Sequence, residues 1–139
     1  MGLARTTPSP DATWILMAGD VAHHPGLLRP STYVPIPVEL EPLVPAALQG
    51  CARDAPFLAL PKGEGTVHHD LEGVARTLEI VRALDGRDDV WMVLSHDACL
   101  DEDAGVHWLP EAANGWRAEG VKEKTRWRWL EKGNMAYRW

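Results

Sequence analysis

Two short apolar runs constrain this chain more than anything else in it. Trp14-Ile15-Leu16-Met17-Ala18 and Val90-Trp91-Met92-Val93-Leu94 contain no polar residue. Each is the length of a strand and too short for a stable helix. An apolar run without alternation suits a strand buried on both faces, as in a layered α/β fold. Between the runs, Leu71, Val74, Leu78 and Val81 recur at helical spacing, with Ile80 and Leu84 widening the stripe. Asp70 is placed to cap that helix and Gly86 to end it. Gly73 is a modest cost inside it. The chain from Pro110 onward reads as one or two helices, with Trp116, Val121, Trp127 and Leu130 as their apolar contacts.

Proline shapes the segment between the first run and the helix. Eight of the eleven prolines fall between Pro25 and Pro61. Proline lacks a ladder donor and breaks helices, so residues 25–69 are expected to form a long, mostly irregular excursion. Only Val44–Cys51 reads as a short helix. Tyr33, Val34, Ile36, Val38 and Leu40 supply apolar anchors, which predicts a loop docked on the body.

Composition narrows the function classes. Apolar residues make up 45% and charged residues 24% of 139 residues, the profile of a folded globular domain. No run approaches the roughly 18 apolar residues of a membrane helix. The opening Met1–Asp11 has no apolar core of a secretory signal, so a cytoplasmic location is expected. Cys51 and Cys99 are too few for a disulfide framework or a four-thiolate zinc site and read as reduced thiols. Residues 1–116 carry a balance of −10 and residues 117–139 a balance of +4. Nucleic-acid binding by the tail is disfavoured, because three glutamates interrupt it and the acidic body repels phosphate. The basic, Trp-bearing tail is expected to pack on that body.

Both apolar runs end on a residue of metal-ligand type. Asp20 follows the first and His96 the second, and His23 and His24 lie just beyond Asp20. Carboxylate and imidazole together are the usual donors for zinc or a similar divalent ion. Sites in layered α/β folds gather where strands end. By spacing alone the signal is weak, since neither HExxH nor paired CxxC is present.

Three stretches are more specific. Gly19-Asp20-Val21-Ala22-His23-His24-Pro25-Gly26 followed by Arg29-Pro30-Ser31, then Val90–Ala98, then Ala113-Asn114-Gly115-Trp116 with Gly120–Glu123 and Arg126–Leu130, together resemble fungal members of the metallo-β-lactamase-fold hydrolases. The resemblance runs in order over nearly the whole chain. It implies a four-layer αββα sandwich, with Asp20 bridging two metals and His96 binding the second. Zinc is the implied metal, and a small ester, lactone, thioester or similar carbonyl compound the implied substrate. For His23 and His24 three roles stay open: groups behind the ligands, substrate contacts, or loop structure, the last being favoured. His68, His69 and His107 read as surface or capping residues.

The sequence departs from the family where its main signature should be. It contains no His-x-His-x-Asp-His. Gly2–Thr7 resembles the strand that follows the family's third metal motif. Residues 1–139 are therefore expected to be the C-terminal portion of such a domain, a partial sandwich lacking its N-terminal half. Asp20 and His96 are then only part of a site, and a sheet face is expected to lie open. The alternative is a non-catalytic remnant acting through protein contacts. Nothing in the sequence speaks to oligomeric state.

Overall fold

The computed structural model describes residues 1–8, 10–60, 69–97, 99–100, 105–106 and 111–130. His68 and His107 lie outside the described residues, as do Trp108 and Trp139.

The two apolar runs form two adjacent strands, the central one and one edge, of a three-stranded sheet. Strand β1 spans Gly2–Arg5, β2 Trp14–Gly19 and β3 Val90–Leu94, in the order β1-β2-β3. β1 is antiparallel to β2, with Leu3 opposite Leu16. β2 is parallel to β3, with Ile15 opposite Trp91 and Met17 opposite Val93. Parallel strands need a crossover connection. Here it is the proline-rich excursion followed by helix α1, Leu71–Asp85.

α1 forms as its periodicity predicts. Asp70 accepts a hydrogen bond from Gly73 N at 2.8 Å, and Gly86 N donates to the Arg82 and Leu84 carbonyls. The helix presses Leu78 and Val81 onto the sheet face formed by Leu16, Ala18, Val90, Met92 and Leu94. The opposite face carries Ile15 and Trp91. It is covered by Leu100, Val106, Trp116 and Val121, the last opening a short helix α2, Val121–Arg126. The open sheet face expected of a partial sandwich is thus largely closed by the chain's own C-terminal residues. Met17 remains 49% exposed at the upper end of that face.

Residues 25–60 hold three short 3-10 helices and turns. Val34 and Ile36 are buried, and Leu40 packs partly against Ile36, Val44, Phe57 and Trp129. Tyr33 and Val38, expected as anchors, are instead exposed. Val44–Cys51 contains only one 3-10 turn, Ala46–Leu48, following Pro45. No described helix is long and apolar enough to cross a membrane.

A buried ionic knot ties the excursion to α1 and α2. Arg29 grips Asp85 with two bonds, Nε to Oδ2 at 2.7 Å and Nη2 to Oδ1 at 2.9 Å. Its Nη1 donates to the Arg126 carbonyl at 2.6 Å, and Arg126 Nη2 donates to the Asp85 carbonyl at 2.9 Å. Lys122 donates to the Val90 carbonyl at 2.6 Å and also to the Arg87 carbonyl. Asp85 is the last residue of α1, where the helix dipole disfavours a carboxylate. The Arg29 fork reverses that penalty and holds the carboxyl below its usual range, against the opposing effect of burial.

Candidate metal centre at the ends of two parallel strands

Because β2 and β3 run parallel, their C-terminal ends lie side by side. Ser95 N donates to the Gly19 carbonyl at 3.2 Å, extending the pairing to the last residues of both strands. Gly19 sits at φ +62°, a conformation that other residues rarely adopt. The regular register slips between Met17 and Gly19. This left-handed turn ends β2 and directs the chain into Asp20.

Asp20 and His96 are brought together there. His96 Nε2 lies 3.2 Å from Asp20 Oδ1, and both side chains are at least half exposed. Metal–ligand bonds of about 2.0–2.2 Å at tetrahedral angles put neighbouring ligand atoms roughly 3.3–3.6 Å apart. The carboxylate and imidazole therefore need little movement to share one cation. His23, exposed, stands beside them with its ring centroid 4.9 Å from that of His96, tilted by 45°.

His24 plays a different part. It is buried, and its Nδ1 accepts from Gly26 N at 2.9 Å, capping the 3-10 helix Pro25–Leu27. Its ring meets Trp129 edge-on at 5.2 Å. Adjacent histidines thus separate, His23 toward the strand ends and His24 into the loop. His69 is exposed and lines a cavity beside Asp20.

The donor set is partial. Among the described residues no group of three or more His, Cys, Asp or Glu is arranged to hold a metal ion. A catalytic zinc ordinarily keeps three protein ligands and a water. Asp20 and His96 have the chemistry and spacing for two of them.

Comparison with known proteins finds relatives that align with most of this chain. Metallo-hydrolase mfmC of Annulohypoxylon moriforme is 33% identical over 135 residues, covering 90% of this chain and 34% of the relative. Gamma-lactamase FDB1 of Fusarium pseudograminearum is 36% identical over 140 residues, covering 90% and 32%. The chain is a homologue of the metallo-β-lactamase-fold hydrolases. A third relative, cytochrome P450 monooxygenase mpaDE' of Penicillium brevicompactum, is 36% identical over 126 residues, 90% of this chain but 13% of that protein. The chain spans about a third or less of the length of these curated relatives. No protein-family model matches it, and no solved structure does.

The sequence did not disclose the ionic knot. Arg29 belongs to the Arg-Pro-Ser string that carries part of the resemblance, yet its partner Asp85 lies in the helix. Only the fold pairs them. One signal was available: an aspartate at a helix C-terminus is unfavourable unless a cation meets it.

Proposed function

We propose that residues 1–139 are the C-terminal portion of a metallo-β-lactamase-like αββα domain, and that Asp20 and His96 are metal ligands of its hydrolytic site. Zinc is the metal best suited to a carboxylate–imidazole pair of this kind. The remaining ligands come from residues outside the Asp20–His96 pair. The single observation that carries the reading is the convergence of Asp20 Oδ1 and His96 Nε2 to 3.2 Å at the ends of paired strands. The names of the relatives, a metallo-hydrolase and a gamma-lactamase, support it.

When bound, such a metal supplies an activated water and charge stabilisation for the oxyanion of an attacked carbonyl. The chain's own residues do the positioning. The hydrogen-bonded strand ends fix the separation of the two donors, and the Gly19 turn orients Asp20. His23 stands against the His96 ring on the solvent side and is placed to contact a ligand or to hold that ring. The substrate is a small carbonyl compound, an ester, lactone, thioester or lactam.

Metal analysis of purified protein tests the ligand assignment. In an equilibrium zinc titration the wild type should take up the metal, and Asp20→Ala and His96→Ala should each weaken that uptake severalfold. Equal zinc in all three proteins would sink the assignment.

A second reading is favoured by the partial donor set. In it the chain by itself is not catalytic and acts through protein contacts. Zinc-loaded chain that retains the metal but hydrolyses no ester, lactone or lactam probe above the free-ion rate supports this reading. Turnover lost in Asp20→Ala rejects it.

A further inference from the structure

Between Ala22 and Arg29 every residue is buried except Leu27, which is half-buried, and His23, which is exposed. The main chain on both sides of His23 is tied down. Ala22 packs into the cluster between α1 and the sheet. His24 is held by the bond from Gly26 N and by the edge of Trp129. Leu58 N donates to the Gly26 carbonyl at 2.9 Å and fastens that turn to the far end of the excursion. A Cβ on Gly26 would lie 2.9 Å from His24 Nδ1 and 3.1 Å from Leu58, so glycine lets the three pack together. His23 is thus an exposed ring on a firmly held stretch of loop.

The His96 side chain lacks such support of its own. It is half exposed and lies just past the end of β3. Fixing an exposed side chain in one rotamer costs entropy, which lowers its affinity as a ligand. Asp20 meets the ring at Nε2. That contact cannot persist around a bound cation, because Nε2 cannot give its proton to Asp20 and its lone pair to a metal at once. The contact with His23 is between ring and ring, at a distance typical of aromatic pairs, and leaves Nε2 free. A donor role for His23 is less well served, since among the described residues no three donors converge on one point.

We infer that His23 is a positioning residue of the metal centre: its ring packs against His96 and keeps that imidazole turned toward Asp20. The inference rests on the metal-site reading above. Groups that orient a ligand from behind are a regular part of metal sites. Here the orienting group is itself oriented by the buried loop that His24 and Gly26 hold in place.

Two substitutions at this exposed position separate ring from nitrogen. His23→Phe keeps a flat ring and loses both nitrogens, whereas His23→Gln keeps a polar amide and loses the ring. In zinc titrations of the full chain, His23→Phe should match the wild type. His23→Ala and His23→Gln should each bind at least about threefold more weakly. The visible spectrum of the cobalt(II)-loaded chain should be the same in His23→Phe as in the wild type, because the donors are unchanged. Without metal, NMR should show cross-peaks between the ring protons of His23 and His96. Zinc binding in His23→Phe as weak as in His23→Ala overturns the inference, because a nitrogen would then carry the effect. Wild-type binding in His23→Ala overturns it too. So do missing cross-peaks in a chain whose zinc uptake still depends on Asp20 and His96. Uptake indifferent to both Asp20→Ala and His96→Ala, with the cross-peaks present, defeats instead the metal site on which the inference rests.

Discussion

At the level of single residues, buried charge governs this protein more than its surface charge does. Arg29 and Asp85 are almost fully buried and form a two-bond fork. Removing one partner strands the other, which typically costs about 3–5 kcal/mol. Asp85→Ala should therefore lower the urea midpoint sharply, and more than Arg87→Ala, whose partner Asp89 sits at the surface. Lys122 adds a pH dependence. Burial, reinforced by neighbouring Arg126, pushes its ammonium down to about 8 from the ordinary 10.5. Below about 8 both folded and unfolded chains hold the proton, and the burial penalty is fully present. Between about 8 and 10.5 the unfolded chain holds more proton, so this residue makes stability rise with pH. Lys122→Met should flatten that rise in denaturation curves taken across the window. Little of this was legible from residue types beyond the aspartate that ends α1. Arg29, Asp85 and Lys122 are far apart in sequence, and charged residues are ordinarily exposed. That Asp20 and His96 lie together at strand ends was legible, because each follows closely on an apolar run of strand length.

Helix α1 and strands β2 and β3 were the readable elements, since periodicity and unbroken apolar runs come from burial itself. The antiparallel strand β1 was expected only through resemblance, because Gly2–Arg5 has too few apolar residues to signal a strand. The excursion was read correctly in its irregular character and incorrectly in its anchors. Tyr33 and Val38 are exposed where Phe57, not singled out from the sequence, is buried. Loop residues have no repeat to reveal which side faces inward. α1 also supplies a test in which propensity and packing disagree. Gly73→Ala should stabilise a bare helix by about 1 kcal/mol. Here the new Cβ meets the Asp70 carboxylate at 2.3 Å. That carboxylate is the far end of an exposed side chain and can turn aside, so the substitution should gain less than the bare-helix value. Thermal melts of Gly73→Ala and Asp70→Ala, with the double variant, would show whether the two effects share one origin: the double should be no worse than Asp70→Ala alone.

Across the whole molecule, two apolar clusters cover the two faces of the sheet and a third lies under the excursion, and tryptophans are found in each. Trp91 and Trp116 face each other at 6.2 Å on one side of the sheet. Trp129 gathers His24, Phe57 and Trp127 under the excursion. Trp116→Ala should lose about 3–5 kcal/mol, and the loss should appear as increased dye binding on the Trp91 face of the sheet. The arrangement also separates two properties that sequence distance would seem to join. The donors at positions 20 and 96 are held by backbone bonds between adjacent strands, and the chain between them does not measure the gap. Insertions or deletions within the proline-rich stretch can therefore change that connection while the distance between carboxylate and imidazole stays constant. Paired strand ends thus make the spacing of two side chains independent of the length of chain that joins them.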